Sequence, residues 1–366
     1  MLKPKISMSQ LIMLLTLSRM FYTLNGILLG TGDSYGMAYL WAIPLSALMQ
    51  FVLMLPALFL SRRQGTSLIT AGYSLWGKGG AILAFLCGVY FLLSAVLTVF
   101  STEQFMVNAI YPESSPIFFI LTLTLAAAYA AHLGVESIAR CGFIIFIVFS
   151  CGVAFAFLGN WQQITPIFIR PLGTGGFGEV LRIAVNLTAR SPEILLFAVL
   201  FPNLGKNGGR KRGALYYLLL SSLILEIIVF LISAVLGQLA EGEAFPFYTV
   251  GTLAKISIFQ RLDAVHMSIW VLTAFVRMGL FLWAAVELFQ SLMPVKKHRF
   301  VLPFLGILVL VGGMLCGMDK GAASGLYSAM FSVIPIFVFL PLVSIALLIS
   351  QKVKQPEPKG GADDED

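Results

Sequence analysis

Asn186-Leu-Thr-Ala-Arg190-Ser191-Pro192-Glu193-Ile194-Leu-Leu-Phe-Ala-Val-Leu-Phe201 sets two charged residues, two hydroxyls and a proline directly against eight uncharged apolar residues. Proline lacks an amide donor and disfavours helical geometry at the residue before it, so a helix running through this stretch must break near Ser191. Inside a bilayer, opened backbone of this kind is tolerated only where it is packed by protein or lines a cavity. The stretch therefore predicts an interrupted membrane span, provided its surroundings are membrane.

They are. The chain of 366 residues is 58% hydrophobic and 11% charged, with a mean hydropathy of +0.92. Soluble domains hold roughly 45–50% apolar and 25% charged residues. About 20 apolar residues in a helix match a hydrocarbon core of roughly 30 Å. Runs of that length fall at residues 10 to 29, 37 to 60, 80 to 101, 116 to 133, 142 to 159, 184 to 203, 213 to 238, 262 to 291, 300 to 317 and 327 to 350, which predicts an all-α integral membrane protein with ten transmembrane helices. The first run is followed by Gly30-Thr31-Gly32-Asp33 without a small-residue cleavage pattern, so it is expected to stay in the mature protein.

The formal net charge of +7 follows topology and argues against nucleic acid as a partner. Counted across alternate loops, one side receives Lys3, Lys5, Arg62, Arg63, Lys78, Arg140, Lys206, Arg210, Lys211, Arg212, Lys296, Lys297, Arg299, Lys352, Lys354 and Lys359. The other receives only Arg170, Arg182, Arg190, Lys255, Arg261 and Lys320. Positive charge collects on the cytoplasmic side, so both termini are expected there, with the lipid bilayer between the two sets. Cys87, Cys141, Cys151 and Cys316 lie in or beside apolar runs and form no Cys-x-x-Cys pair, which speaks against a disulfide or zinc framework. Residues 351–366 are Pro/Lys-rich and then acidic, and are expected to be a disordered cytoplasmic tail.

Ten spans without a soluble domain predict a single membrane domain over residues 1–350. It divides into two repeats of five, about 1–160 and about 161–350, and the odd number inverts the second against the first. Inverted repeats of this kind place their site near the midplane, where corresponding helices of the two halves are interrupted. The first span should then be irregular too, and Leu17-Ser18-Arg19-Met20 interrupts its apolar run at mid-depth, with Asn25-Gly26 following. The segment from Asn160 to Val185, with Pro166, Pro171 and four glycines between Gly173 and Gly178, reads as an outer loop carrying a short surface helix: a cap over the cavity or a plain connector.

Five passages carry a family resemblance: Ile6-Ser-Met-Ser-Gln10-Leu, Gly32-Asp33-Ser-Tyr, Leu133-Gly134-Val-Glu136-Ser-Ile-Ala-Arg140, Arg190-Ser-Pro-Glu193-Ile-Leu-Leu-Phe and Arg261-Leu-Asp263-Ala-Val-His-Met-Ser-Ile-Trp270. In the order of these passages, the ten-span count and the length, the chain resembles the B subunits of bacterial spore germination nutrient receptors. These form the spore permease family within the amino acid–polyamine–organocation transporter superfamily. The resemblance implies a leucine-transporter-type fold with helices 1 and 6 broken around a small ligand. It also implies assembly with A and C subunits in the spore inner membrane. One departure stands out, because the wider superfamily often has small, glycine-rich residues at the first break, where this chain has Ser18-Arg19.

An ionisable side chain at mid-bilayer is costly unless it faces a partner or a cavity. Arg19, Glu193, Glu226 and Arg277 are such residues. Arg19 and Glu193 fall at the two expected breaks. They either pair with each other, as a structural or gating contact, or Arg19 takes a ligand carboxylate and Glu193 a ligand amine or coupling cation. Glu226 and Arg277 are expected to compensate each other, and Asp263 to cap the start of the eighth span. Ser18, Thr23, Asn186, Arg190 and Ser191 complete the candidates at the breaks. By the pattern of the resembled fold, spans 3 and 8 add Ser94, Thr98, Trp270 and Thr273, each with an alternative as a helix-packing residue.

No Walker loop, nucleophile motif or catalytic carboxylate pair is present in the sequence, and His132, His266 and His298 lack metal-ligand spacing, so neither an enzyme nor a cofactor is expected. Three functions remain: a nutrient-binding receptor subunit, a secondary amino-acid transporter coupled to H+ or Na+, and a structural or ion-conducting component of a receptor complex.

Overall fold

The computed structural model describes residues 6–24, 37–64, 67–168, 176–200, 210–256, 259–260 and 263–354. The described helices are α1 (Met8–Leu24), α2 (Met37–Gln64), α3 (Leu68–Trp76), α4 (Lys78–Phe105), α5 (Pro116–Leu133), α6 (Val135–Gly159), α7 (Gly176–Ala189) and α8 (Glu193–Leu200). They continue with α9 (Arg210–Leu236), α10 (Pro246–Leu253), α11 (Asp263–Ser291), α12 (His298–Met318), α13 (Lys320–Met330) and α14 (Leu340–Lys354). A two-residue antiparallel pairing of Lys255–Ile256 with Phe259–Gln260 joins α10 to α11.

Eight helical stretches are long and apolar enough to cross a bilayer, and α7 with α8, bent by 42° at their junction, make a ninth. Where the first of the ten spans was expected, the described part of α1 is apolar over Met8–Phe21, which is shorter than a full crossing. The expected boundaries hold best where Gly and Pro punctuate the chain. α5 spans the expected residues, starting at Pro116 in its first turn, where the missing amide is harmless, and stopping at Gly134. Gly134 has φ 91, which glycine adopts without a Cβ clash, so α5 turns straight into α6. α6 begins at Val135, seven residues before the apolar run, because Glu136 and Arg140 pair one turn apart and carry the helix out of the apolar zone.

Three expectations are corrected. α1 is continuous through Ser18 and Arg19, where a break was expected, while Asn25-Gly26 lies outside the described residues. Leu, Arg and Met are strong helix formers, and Ser18 bonds across to α8 and α11 instead of competing for its own backbone. The first half of the sixth span begins at Gly176, so the segment read as a surface helix belongs to the broken span itself. α14 continues to Lys354, four residues into the stretch assigned to the tail.

The core is organised around α11. It packs against α1, α4, α5, α6, α10 and α12, and 83% of its apolar window is buried. α1 in turn packs on α6, α8, α9 and α11. The first, third, sixth and eighth spans therefore meet around one axis.

Candidate functional site

At the junction of α7 and α8 the helical ladder opens as the proline predicts. Arg190 N still donates to Asn186 O at 3.1 Å and Ser191 N to Thr188 O at 3.2 Å, closing α7. Pro192 has no amide to give, and α8 restarts with Ile194 N on Ser191 O and Leu195 N on Pro192 O. Ser191 Oγ turns back to donate to Leu187 O at 2.8 Å. Glu193 thus stands in the first turn of α8, where the helix dipole favours a negative charge.

Its carboxylate is fully buried and paired with the equally buried guanidinium of Arg277 on α11, not with Arg19. Ser18 Oγ donates to Glu193 Oε1 at 2.8 Å and accepts from Arg277 Nη1 at 3.0 Å. The same Nη1 donates to Ser18 O at 2.6 Å, and Arg277 Nε donates to Thr98 Oγ1 at 3.3 Å. One ion pair and two hydroxyls therefore tie α1, α4, α8 and α11 together. Two buried charges hold in such a site only when the geometry supplies further hydrogen bonds, and this cluster does so.

Arg19, about 100° further round α1, faces another neighbour: its Nη1 donates to Ser221 Oγ on α9 at 2.9 Å. Of the two readings of Arg19 and Glu193, their direct pairing is thereby set aside, since Glu193 pairs with Arg277. That of Glu226 with Arg277 falls with it, and among the described residues Glu226 has no hydrogen-bond or ion-pair partner.

Ser94, Thr98, Trp270 and Thr273 all lie in the fully buried centre. Ser94 Oγ donates to Tyr90 O, Thr98 Oγ1 to Ser94 O and Thr273 Oγ1 to Trp270 O, at 2.7–2.9 Å. Trp270 stacks at 4.3 Å from Phe105 and 5.0 Å from Phe21, making an aromatic wall beside the ion pair. Asn186 is half-buried on α7, and the guanidinium of Arg190 lies 5.8 Å over the ring of Tyr327 on α13, away from the cluster. Thr23 lies in the last turn of α1 and Asp263 opens α11; the side chains of both lie outside the described residues.

Arg19 Nη2, Glu193 Oε2, Trp270 Nε1 and the hydroxyl of Tyr217, which lies beside Arg19, are among the buried polar atoms without a hydrogen-bond partner. Buried polar groups are paired as a rule, so open donors and a carboxylate oxygen in this centre mark a place built for polar company. Arg277, Phe21, Phe105 and Ser221 were missed as site residues. Trp270, Thr273 and Arg277 stand at i, i+3 and i+7, one face of one helix, which is the signal that could have added Arg277.

The described residues contain no group of three or more His, Cys, Asp and Glu side chains able to hold a metal ion. A family model described as spore germination protein, the spore permease family, matches residues 5–316. Spore germination protein KB of Bacillus subtilis (strain 168) is 24% identical over 270 residues, covering 71% of this chain and 70% of that protein. Among solved structures, MhsT in complex with L-phenylalanine aligns with a TM-score of 0.61 at 13% identity, over 93% of this chain and 98% of that one. A Na+-coupled sialic acid symporter in a substrate-bound, outward-open state aligns with a TM-score of 0.59 at 12% identity, over 95% and 90%. At such identities the likeness is one of fold, and the fold is the leucine-transporter type.

Proposed function

We propose that this chain, which belongs to the spore germination protein family, is the membrane subunit of a germinant receptor that binds a small nutrient near the bilayer midplane. The observation carrying this reading is the set of open polar atoms beside the broken sixth span. Arg19 Nη2 is a donor for a carboxylate and Glu193 Oε2 an acceptor for an ammonium group, and Phe21, Phe105 and Trp270 form an apolar wall. An amino acid bridging Arg19 and Glu193, which do not bond to each other, fits this chemistry. Binding drives signalling only through its differential affinity for two conformations, and a site divided between α1, α8 and α11 senses their relative positions. The reading includes A and C partner subunits and the inner membrane of the spore. It also includes cytoplasmic termini, supported by the distribution of Lys and Arg.

A panel of L-amino acids, scored by thermal shift of the purified protein and of the assembled receptor, should contain at least one stabilising ligand. That stabilisation should be lost in Arg19→Ala and in Glu193→Ala. Unchanged affinity and unchanged germination response in both variants would sink the site.

A second reading, solute transport, is favoured by the resemblance in fold to a Na+-coupled symporter. Uptake of labelled amino acids into proteoliposomes by the isolated chain decides for it, and absence of uptake alongside a ligand-dependent thermal shift decides for the receptor.

A further inference from the structure

Four oxygens converge on the guanidinium of Arg277. They are the backbone carbonyl of Ser18 at 2.6 Å, Ser18 Oγ at 3.0 Å, Thr98 Oγ1 at 3.3 Å and Oε1 of Glu193. They come from α1, α4 and α8. A main-chain carbonyl, two hydroxyls and a carboxylate are a hard, all-oxygen donor set of the kind that holds a metal cation without nitrogen or sulfur. Here a side-chain cation sits among them.

We propose that Arg277 is a tethered replacement for a free alkali-metal ion. The wild-type protein then takes up no Na+ or K+ between α1, α4, α8 and α11, and removing the guanidinium turns the same oxygens into a Na+ site.

Charge supports the substitution. Glu193 is the one carboxylate in the cluster, and Arg277 neutralises it with both side chains fully buried. A bare metal ion, which unlike a zwitterionic amino acid carries no anion of its own, would leave uncompensated positive charge in a low-dielectric centre. Without Arg277, by contrast, the Glu193 carboxylate is a buried charge in need of a counter-ion, and three neutral oxygens already surround the place where one would sit.

The oxygens are also free to serve. Ser18 Oγ gives its proton to Glu193 and keeps its lone pairs for the cation. Ser18 O lies in mid-helix, where a carbonyl has a second lone pair beyond the one used by the helical ladder. The ring of Phe281, 4.6 Å from the guanidinium carbon, adds a negative π-face that favours a cation. The Na+-coupled symporter of the same fold supplies the contrast: that protein works with a mobile ion.

The full chain, purified in detergent, tests this without any nutrient, so failure here leaves the receptor reading standing and failure of that reading leaves this one. Thermal midpoints are compared in NaCl, KCl and N-methylglucamine chloride at equal ionic strength. Wild type should melt at the same temperature in all three. Arg277→Ala should melt higher in NaCl than in N-methylglucamine chloride by about 3 °C or more, the linkage expected of an ion bound only by the folded state. Arg277→Lys, which retains a tethered cation, should fold and show no preference for Na+. A Na+-specific rise in wild type overturns the proposal. So do equal midpoints of Arg277→Ala in the three salts, failure to recover Arg277→Ala in Na+ as well as in N-methylglucamine, or a Na+ preference in Arg277→Lys.

Discussion

The eighth span and the last span are built from opposite materials for opposite neighbours. The window of the last span, formed by α13, α14 and the π-helical turn Ile334–Phe339 between them, has a mean hydropathy of 2.7, and 22% of it is buried inside the protein. α11 scores 1.9 and is 83% buried. In water the more apolar helix would be the inner one. In a bilayer lipid tails are as apolar as leucine, so hydrophobicity does not draw helices together, and packing and polar contacts decide who goes inside. α11 is central because it carries Arg277, Thr273 and Trp270 on one face, each of which has a use for protein and none for lipid.

Several substitutions break or sharpen that contrast, the largest first. Glu193→Ala leaves Arg277 buried without its carboxylate and should destabilise the protein by about 3–5 kcal/mol, read as a drop in thermal midpoint or in recoverable protein. Replacing both partners at once, Glu193→Leu with Arg277→Met, should recover most of that loss, because two apolar side chains of similar length need no counter-charge. Ala274→Leu adds three carbons at a fully buried position of α11 and should cost about 1–3 kcal/mol.

Trp270→Phe keeps most of the stacking on Phe21 and Phe105 but removes the unpartnered Nε1, so its expected stability cost is at most about 1.5 kcal/mol. If that nitrogen serves a ligand, the nutrient-induced thermal shift falls by more than the stability does. Leu342→Ala on the exposed face of α14 should change the midpoint by no more than about 0.5 kcal/mol allows. A large effect there would mean that this face is covered by protein and not by lipid.

Depth in the membrane was legible in the sequence, and direction around each helix was not. α5 and α11 lie within a residue of their expected bounds, and the break at Ser191-Pro192 follows from the chemistry of proline alone. Arg19, Glu193 and Arg277 were all recognisable as charges near mid-depth. Depth could not say that Ser18 and Arg19, adjacent in sequence, face different helices, so that the serine meets Glu193 and Arg277 while the arginine meets Ser221. The expected break at Ser18-Arg19 is absent for a related reason. Polar residues in an apolar run were read as a break, but their side chains are satisfied by neighbouring helices and the backbone has no cause to open.

Short elements escaped because apolar run length was the criterion. α3 is nine residues long and starts from a local device, Ser67 accepting from Thr70 N, that leaves no mark on hydropathy. α10, eight residues, is set by Pro246 in its first turn.

The partnership of Glu193 with Arg277 also has an order in time. The carboxylate is synthesised 84 residues before the guanidinium that neutralises it, with α9 and α10 made in between. During that interval α8 presents an acid to the membrane without its cation, and α11, when it emerges, presents a cation that lipid alone would reject. Each is a poor candidate for insertion on its own and a good one once the other is present. Assembly of the centre is therefore expected to be a late, concerted event in biogenesis, and a ribosome stalled before Arg277 should leave α8 accessible to aqueous cysteine labelling, with protection appearing once α11 has been made.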